Sequence, residues 1–235
     1  MKGRCIIVSG SSSGIGRSIS EILLKAGAEV IGLARNHKKF DPESKNYKPY
    51  EVDISDTKNL SQTFSTVLSA YPKVDGFVSN AGFGDFKGLE NFSSDKIISY
   101  VNTNLVSHMI LTKLLIPKMK KYNSGKIIFI GSEAALKGSQ KASLYNTVKF
   151  GLRGFSQAIR EECSGSKVHV SLINPGMVRT NFFEKLNFSP GDDPSNAIEA
   201  YDVARLVLSI FEMRDGTVID EINLSPLSKV IKFNS

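Results

Sequence analysis

The sequence predicts an α/β protein, a doubly wound parallel sheet of about seven strands flanked by helices on both faces. Three observations carry that expectation. Short apolar runs alternate with longer amphipathic segments through most of the 235 residues. The first apolar run passes directly into a glycine-rich turn, SGSSSGIG from Ser9 to Gly16, and then into a helical pattern. The strand runs, such as CIIV, AEVIGLA and KIIFI, are apolar at nearly every position, as strands covered on both faces must be.

Composition narrows the class. The length suits one domain spanning 1–235, and 41% hydrophobic residues suffice for a sizeable core. No run reaches the roughly 18 apolar residues of a membrane span. The start, MKGRCIIVSG, is too short an apolar run for a secretory signal, so a soluble, cytoplasmic protein with no membrane partner is expected. Cys5 and Cys163 have neither disulfide-scaffold nor metal spacing, and His37, His108 and His169 lack companions, so no metal is expected. His169 alternates with apolar neighbours and reads as packed. The formal net charge of +7 is spread over helix faces and loops such as HKKF and KMKKY. No base-reading helix stands out, so a solvated surface is expected and no nucleic acid.

In chain order, Arg4 to Val8 is a strand and the helix after the glycine turn carries Ile19, Ile22, Leu23 and Leu24, ending at Gly27. Gly10 permits the turn, while Gly14 and Gly16 let backbone approach a pyrophosphate and let the helix pack on the sheet. The second strand ends at Ala34 and Arg35. No carboxylate stands there for a ribose hydroxyl. A guanidinium does, which fits a 2′-phosphate and hence NADP, with His37, Lys38 and Lys39 adding positive field. A third strand is expected at Tyr50 to Val52, followed by Asp53, placed for an adenine amine, and Asp56, the better cap for a helix over Thr57 to Ser69. The fourth strand, in VDGFVSNAG, ends in Asn80, Ala81 and Gly82, small enough to lie against a cofactor.

From Phe92 to Met119 the pattern is helical, with an interruption expected near Pro117. Asn104 inside it is placed to distort the helix and hold a water against Lys149. After IIFI comes Ser132, and then a helix on which Tyr145 and Lys149 share a face. That helix continues through Leu152, Phe155 and Ile159, with Gly151 and Gly154 suited to close packing by another helix or within the chain. The sixth strand is VHVSLINPG, and about 177–198 should form a substrate lid rich in Phe182, Phe183, Leu186 and Phe188. A helix from Glu199 to Met213 and a seventh strand in GTVIDEINLSP complete the order.

Ser132, Tyr145 and Lys149 suit carbonyl reduction or alcohol oxidation. A tyrosine has a pKa of about 10, and a neighbouring ammonium is expected to lower it. Ser132 is placed to hydrogen-bond the substrate oxygen.

With these residues in place the chain resembles the short-chain dehydrogenase/reductase family from Gly3 to about Pro226. The glycine motif matches at Gly10, Gly14 and Gly16, with Ser9 where threonine is commoner. The adenine motif falls on Asp53, and Asn80, Ala81 and Gly82 match with Ser79 ahead of them where asparagine is common. The catalytic tetrad falls on Asn104, Ser132, Tyr145 and Lys149, and Pro175, Gly176 and Thr180 match the motif after the sixth strand. The resemblance implies a Rossmann-like fold and NADPH as hydride donor. It makes Tyr145 the general acid or base, Lys149 its modulator and ribose ligand, and Ser132 the substrate-orienting residue, with Asn104 keeping a proton-relay water. It also implies cofactor contacts at Ser12, Ser13, Ile15 and Ile54, carboxamide contacts at Val178 and Thr180, and a homodimer or homotetramer. The ending Ile222 to Pro226 lacks the family's common Asp-Gly-Gly-like turn, which weakens a fatty-acid-synthesis assignment. The leading expectation is reduction of a small ketone or aldehyde. The alternatives are a 3-oxoacyl thioester reductase and a non-catalytic cofactor-binding regulatory protein.

Overall fold

The computed structural model describes residues 1–38 and 40–233; Lys39, expected to add to the positive field, lies outside them. The first half runs β1 (Cys5–Ser9), α1 (Gly14–Lys25), β2 (Glu29–Ala34), β3 (Tyr47–Glu51), α2 (Thr57–Ser69), β4 (Gly76–Ser79), α3 (Ser94–Val101) and α4 (Ser107–Lys121). The second runs β5 (Gly125–Ile130), α5 (Ser143–Cys163), β6 (Val168–Pro175), β7 (Val178–Arg179), β8 (Phe188–Pro190), β9 (Ile198–Glu199), α6 (Ala200–Glu212), β10 (Glu221–Leu224) and β11 (Ile231–Phe233).

Seven strands form one parallel sheet in the order β10-β6-β5-β4-β1-β2-β3. The chain leaves β1 towards β2 on one side and later returns to β4 on the other. This reversal opens a crevice beyond the carboxyl ends of β1 and β4, where ligands of such sheets bind.

Alternation along each strand divides the core. Ile7, Phe77, Ile127 and Phe129 face Leu60, Phe64, Leu111, Leu115, Leu152 and Ile159 of α2, α4 and α5. Ile6, Val8, Val78 and Ile128 face Ile19 and Leu23 of α1 and Val203, Val207 and Phe211 of α6. Both strand faces are therefore apolar, which is why the strand runs show no polar alternation. Two lysines close helix ends from neighbouring elements. The Nζ of buried Lys126 donates to the carbonyls of Ile210 and Phe211 at 3.1 and 3.2 Å, and that of Lys118 donates to Leu68 and Tyr71 at 2.8 and 2.9 Å. A cation at a carboxyl-terminal helix end satisfies carbonyls that have no partner within the helix.

Three expectations are corrected. Pro117 does not interrupt its helix but lies inside α4. The interruption is a widened π-turn at Asn102–Val106, centred on Asn104. The third strand starts at Tyr47 rather than Tyr50, because β3 is an edge strand and tolerates Pro49. The chain also carries a last strand, β11, paired antiparallel with β8 in the segment expected to form a lid, which three residues of ambiguous pattern could not announce.

Candidate active site

The glycine loop at the end of β1 is held by backbone contact that side chains would forbid. Gly10 has φ +67°, and its N–H donates to Leu33 at 2.7 Å. A Cβ on Gly16 would fall 2.1 Å from the Gly10 carbonyl. Ser13 sits at the N-cap of α1 without a side-chain cap, and the first turn carries no acid, so the helix start keeps its amides and positive dipole end for an anion. Thr180 faces Gly14 across the mouth of this loop, 3.5 Å from where a Cβ would lie. Ser12 and Ile15 belong to the same turn. This cradle fits the pyrophosphate of a dinucleotide.

Ser9 ties the loop to β4: its Oγ accepts from Asn80 and Ala81 N–H at 2.9 and 3.1 Å, and Asn80 Nδ2 donates to the Ser9 carbonyl at 3.0 Å. Just past the carboxyl end of β2, Arg35 is exposed. Asp53 accepts from the Ser55 N–H and hydroxyl at 2.9 and 2.7 Å, which lowers its pKa, aided by the charge of Arg35. Asp56 caps α2, as expected, by accepting from Asn59. Ile54 is buried beside Asp53. Behind Arg35 runs a chain from Ser11 Oγ to Tyr47 OH (2.9 Å), to His37 Nδ1 (3.0 Å), with His37 Nε2 on the Tyr50 carbonyl (3.1 Å). This chain ties the loop after β2 to the glycine turn.

Ser132 follows β5, and Tyr145 and Lys149 come from the first turns of α5. The Nζ of buried Lys149 donates to the Ile130 carbonyl at 3.1 Å and lies 5.8 Å from the Tyr145 ring centroid. Burial lowers the pKa of Lys149 to about 8. Burial raises that of Tyr145, a hydrogen bond with Ser132 opposes this, and Glu133 adds to the rise. The net direction is upward, opposite to the acidification by Lys149 that the sequence suggests. Desolvation of the phenol is the largest influence on it, and the Lys149 ammonium is not among the groups that shift it. The resulting neutral phenol is a proton donor.

Asn104 spends its amide on the protein, with Oδ1 accepting from Phe83 N–H at 2.9 Å and Nδ2 donating to Tyr100 at 3.0 Å. It thereby ties Gly82 and Phe83 to the widened turn. On the far side, Gly176 N–H donates to Leu224 at 2.8 Å, which anchors the Pro175–Gly176 turn, and Val178 is buried. Gly151 packs inside the chain, with Leu105 2.8 Å from where its Cβ would be, whereas Gly154 borders open space.

Several site residues were not legible. Asn174, buried in β6, accepts from Ser132 N–H at 3.3 Å and donates to Glu221 and Asn223 at 2.8 and 3.0 Å. His108, one turn after Asn104, meets Ser79 Oγ at 2.6 Å. Burial, then the charge of Lys149, pushes its pKa down to about 3, so it stays neutral. A polar residue in an otherwise apolar strand or helix face was the one signal for either. Among the described residues no group of acids, histidines and cysteines forms a metal site, and no helix is long and apolar enough to cross a membrane.

The family model for short chain dehydrogenase matches residues 4–190. The sepiapterin reductase of Chlorobaculum tepidum is 29% identical, covering 95% of this chain and 96% of that protein. The 3-oxoacyl-[acyl-carrier-protein] reductase of Salmonella typhimurium is 30% identical over 79% of this chain and 78% of its own length. A metagenomic short-chain oxidoreductase solved in complex with NADP is 27% identical, superposes with a TM-score of 0.83, and covers 97% of this chain and 99% of its own.

Proposed function

The chain belongs to the short-chain dehydrogenase/reductase family, and from that premise we propose that it is an NADP(H)-dependent oxidoreductase reducing a ketone or aldehyde to an alcohol. The observation that carries this reading is the convergence of Ser132, Tyr145 and Lys149 beside a glycine cradle, with no carboxylate at the end of β2. The solved relative with NADP supports the cofactor. When bound, the reduced nicotinamide supplies a hydride; orientation and proton delivery belong to the protein.

In this reading the amides of Gly14, Ile15 and Gly16 take the pyrophosphate, with Ser12 and Ser13 beside them. Arg35 pairs with the 2′-phosphate, Asp53 and Ile54 border the adenine, and Asn80, Ala81 and Gly82 line the ribose. Pro175, Gly176, Val178 and Thr180 flank the carboxamide. Ser132 donates to the substrate oxygen and holds it against the Tyr145 hydroxyl, which gives up its proton as negative charge develops. Lys149 returns a proton and reaches the ribose, and Asn104 keeps the widened turn in which a relay water rests. The assembly is a homodimer or homotetramer.

The test is loss of reduced-nicotinamide absorbance with purified protein and a panel of ketones, aldehydes and 3-oxoacyl thioesters. Turnover dependent on Tyr145 is expected. Cofactor binding without turnover on any member would favour a regulatory cofactor-binding protein instead. The Salmonella relative favours a second reading, 3-oxoacyl thioester reduction, which a higher kcat/KM on thioesters than on every ketone would establish.

A further inference from the structure

Four phenylalanines and Tyr145 form a closed circuit of rings. Phe86 lies 5.0 Å from Tyr145 between centroids, tilted by 52°. Phe188 meets Phe86 edge-on at 5.1 Å, and Phe183 meets Phe188 at 5.8 Å. Phe182 meets Phe183 at 5.2 Å and closes on Tyr145 at 6.1 Å, tilted by 55°. Every ring in the circuit keeps part of its surface exposed.

The circuit is held from outside. A Cβ on Gly84 would come 2.5 Å from Phe182 and 2.6 Å from Phe86, so both rings close over a position with no side chain. Phe182 and Phe183 sit in a turn whose start is fixed by Thr180 Oγ1, which accepts from Phe182 N–H at 3.3 Å. Phe188 lies in β8, clamped by β11. The rings are thus presented by three separate anchors beside the Tyr145 ring.

We propose that the substrate is a flat aryl or conjugated ketone or aldehyde whose ring lies among Phe86, Phe182, Phe183 and Phe188. This rests on the reading of Tyr145 as proton donor. Offset and edge-on contacts with four rings reward a planar π-system more than a saturated ring of the same outline. A flexible acyl chain gains no such contact and loses rotamer freedom on binding. In the step, the carbonyl carbon takes the hydride of NADPH, the C=O π bond breaks, and the oxygen takes the Tyr145 proton. Alcohol and NADP⁺ result, and a proton from solvent restores the phenol.

The test compares acetophenone with cyclohexyl methyl ketone, which share an outline and differ in flatness. Conjugation makes the aryl ketone the less electrophilic of the two, so intrinsic reactivity opposes the expected preference. The wild type should favour acetophenone by at least about fivefold in kcat/KM, and Phe86→Leu and Phe182→Leu should each cut the ratio at least about threefold. Both ketones are measured on one preparation, so partial misfolding cancels from the ratio. A smaller wild-type preference, or one that survives both substitutions, overturns the aromatic inference. Turnover of aliphatic ketones or thioesters without acetophenone overturns it alone, whereas no turnover of any carbonyl overturns the reductase reading beneath it.

Discussion

The backbone N–H of Ser132 donates to Oδ1 of Asn174 at 3.3 Å, so the serine that faces Tyr145 is set from the neighbouring strand. Asn174 is itself held by Glu221 and Asn223, and Glu221 is paired with Arg153 of α5 at 3.0 Å. A Cβ on Gly131 would lie 2.1 Å from the same Asn174 oxygen. Asn174→Ala should leave Ser132 N–H without a partner and cost about 1–3 kcal/mol in unfolding free energy. It should also lower kcat more than it raises KM. Steady-state kinetics beside denaturant unfolding separate the two effects.

Arg35→Ala should raise the KM for NADPH by about tenfold or more, since a charge-assisted hydrogen bond contributes about 1.5–3 kcal/mol. NADH use should change little. Equal losses for both cofactors would remove the 2′-phosphate assignment.

Lys149 links stability to pH. Its folded-state pKa of about 8 lies below the ordinary 10.5, so between those values the unfolded chain binds more protons and folding stability rises with pH. Lys149→Met removes this dependence and the cost of burying the charge. The variant should lose activity yet be at least as stable as wild type at pH 7, with the gap narrowing towards pH 10. Unfolding temperatures across that range provide the check.

His108 works at the acid end. Its folded-state pKa of about 3 lies below 6.5, so stability should fall as pH drops through that window, by up to about 1.4 kcal/mol per pH unit. His108→Gln should flatten this slope. An unchanged acid limb in denaturant titrations from pH 6.5 to 4 would contradict it.

The glycine turn, the parallel sheet and the shared helix face of Tyr145 and Lys149 were legible because each rests on local chemistry. Gly10 needs its positive φ, β1 needs apolar residues on both faces, and Tyr145 and Lys149 share a helix face by spacing alone. Asn174, His108 and the Ser11–Tyr47–His37 chain were not, because their partners lie on other strands and helices. The direction of the Tyr145 pKa was missed for a related reason: burial of the phenol comes from tertiary packing, with Phe86 and Phe182 against its ring, which no residue spacing reports. The ring circuit likewise joins residues 86, 145, 182, 183 and 188, which come from separate parts of the chain.

The most direct measurement is single-turnover reduction by Tyr145→Phe, with NADPH affinity determined on the same sample. A positioned acid contributes about 10²–10⁴-fold, so the rate constant should fall by that order while NADPH binds as tightly as to wild type. Reduction that continues at the wild-type rate without the phenolic hydroxyl would contradict the account.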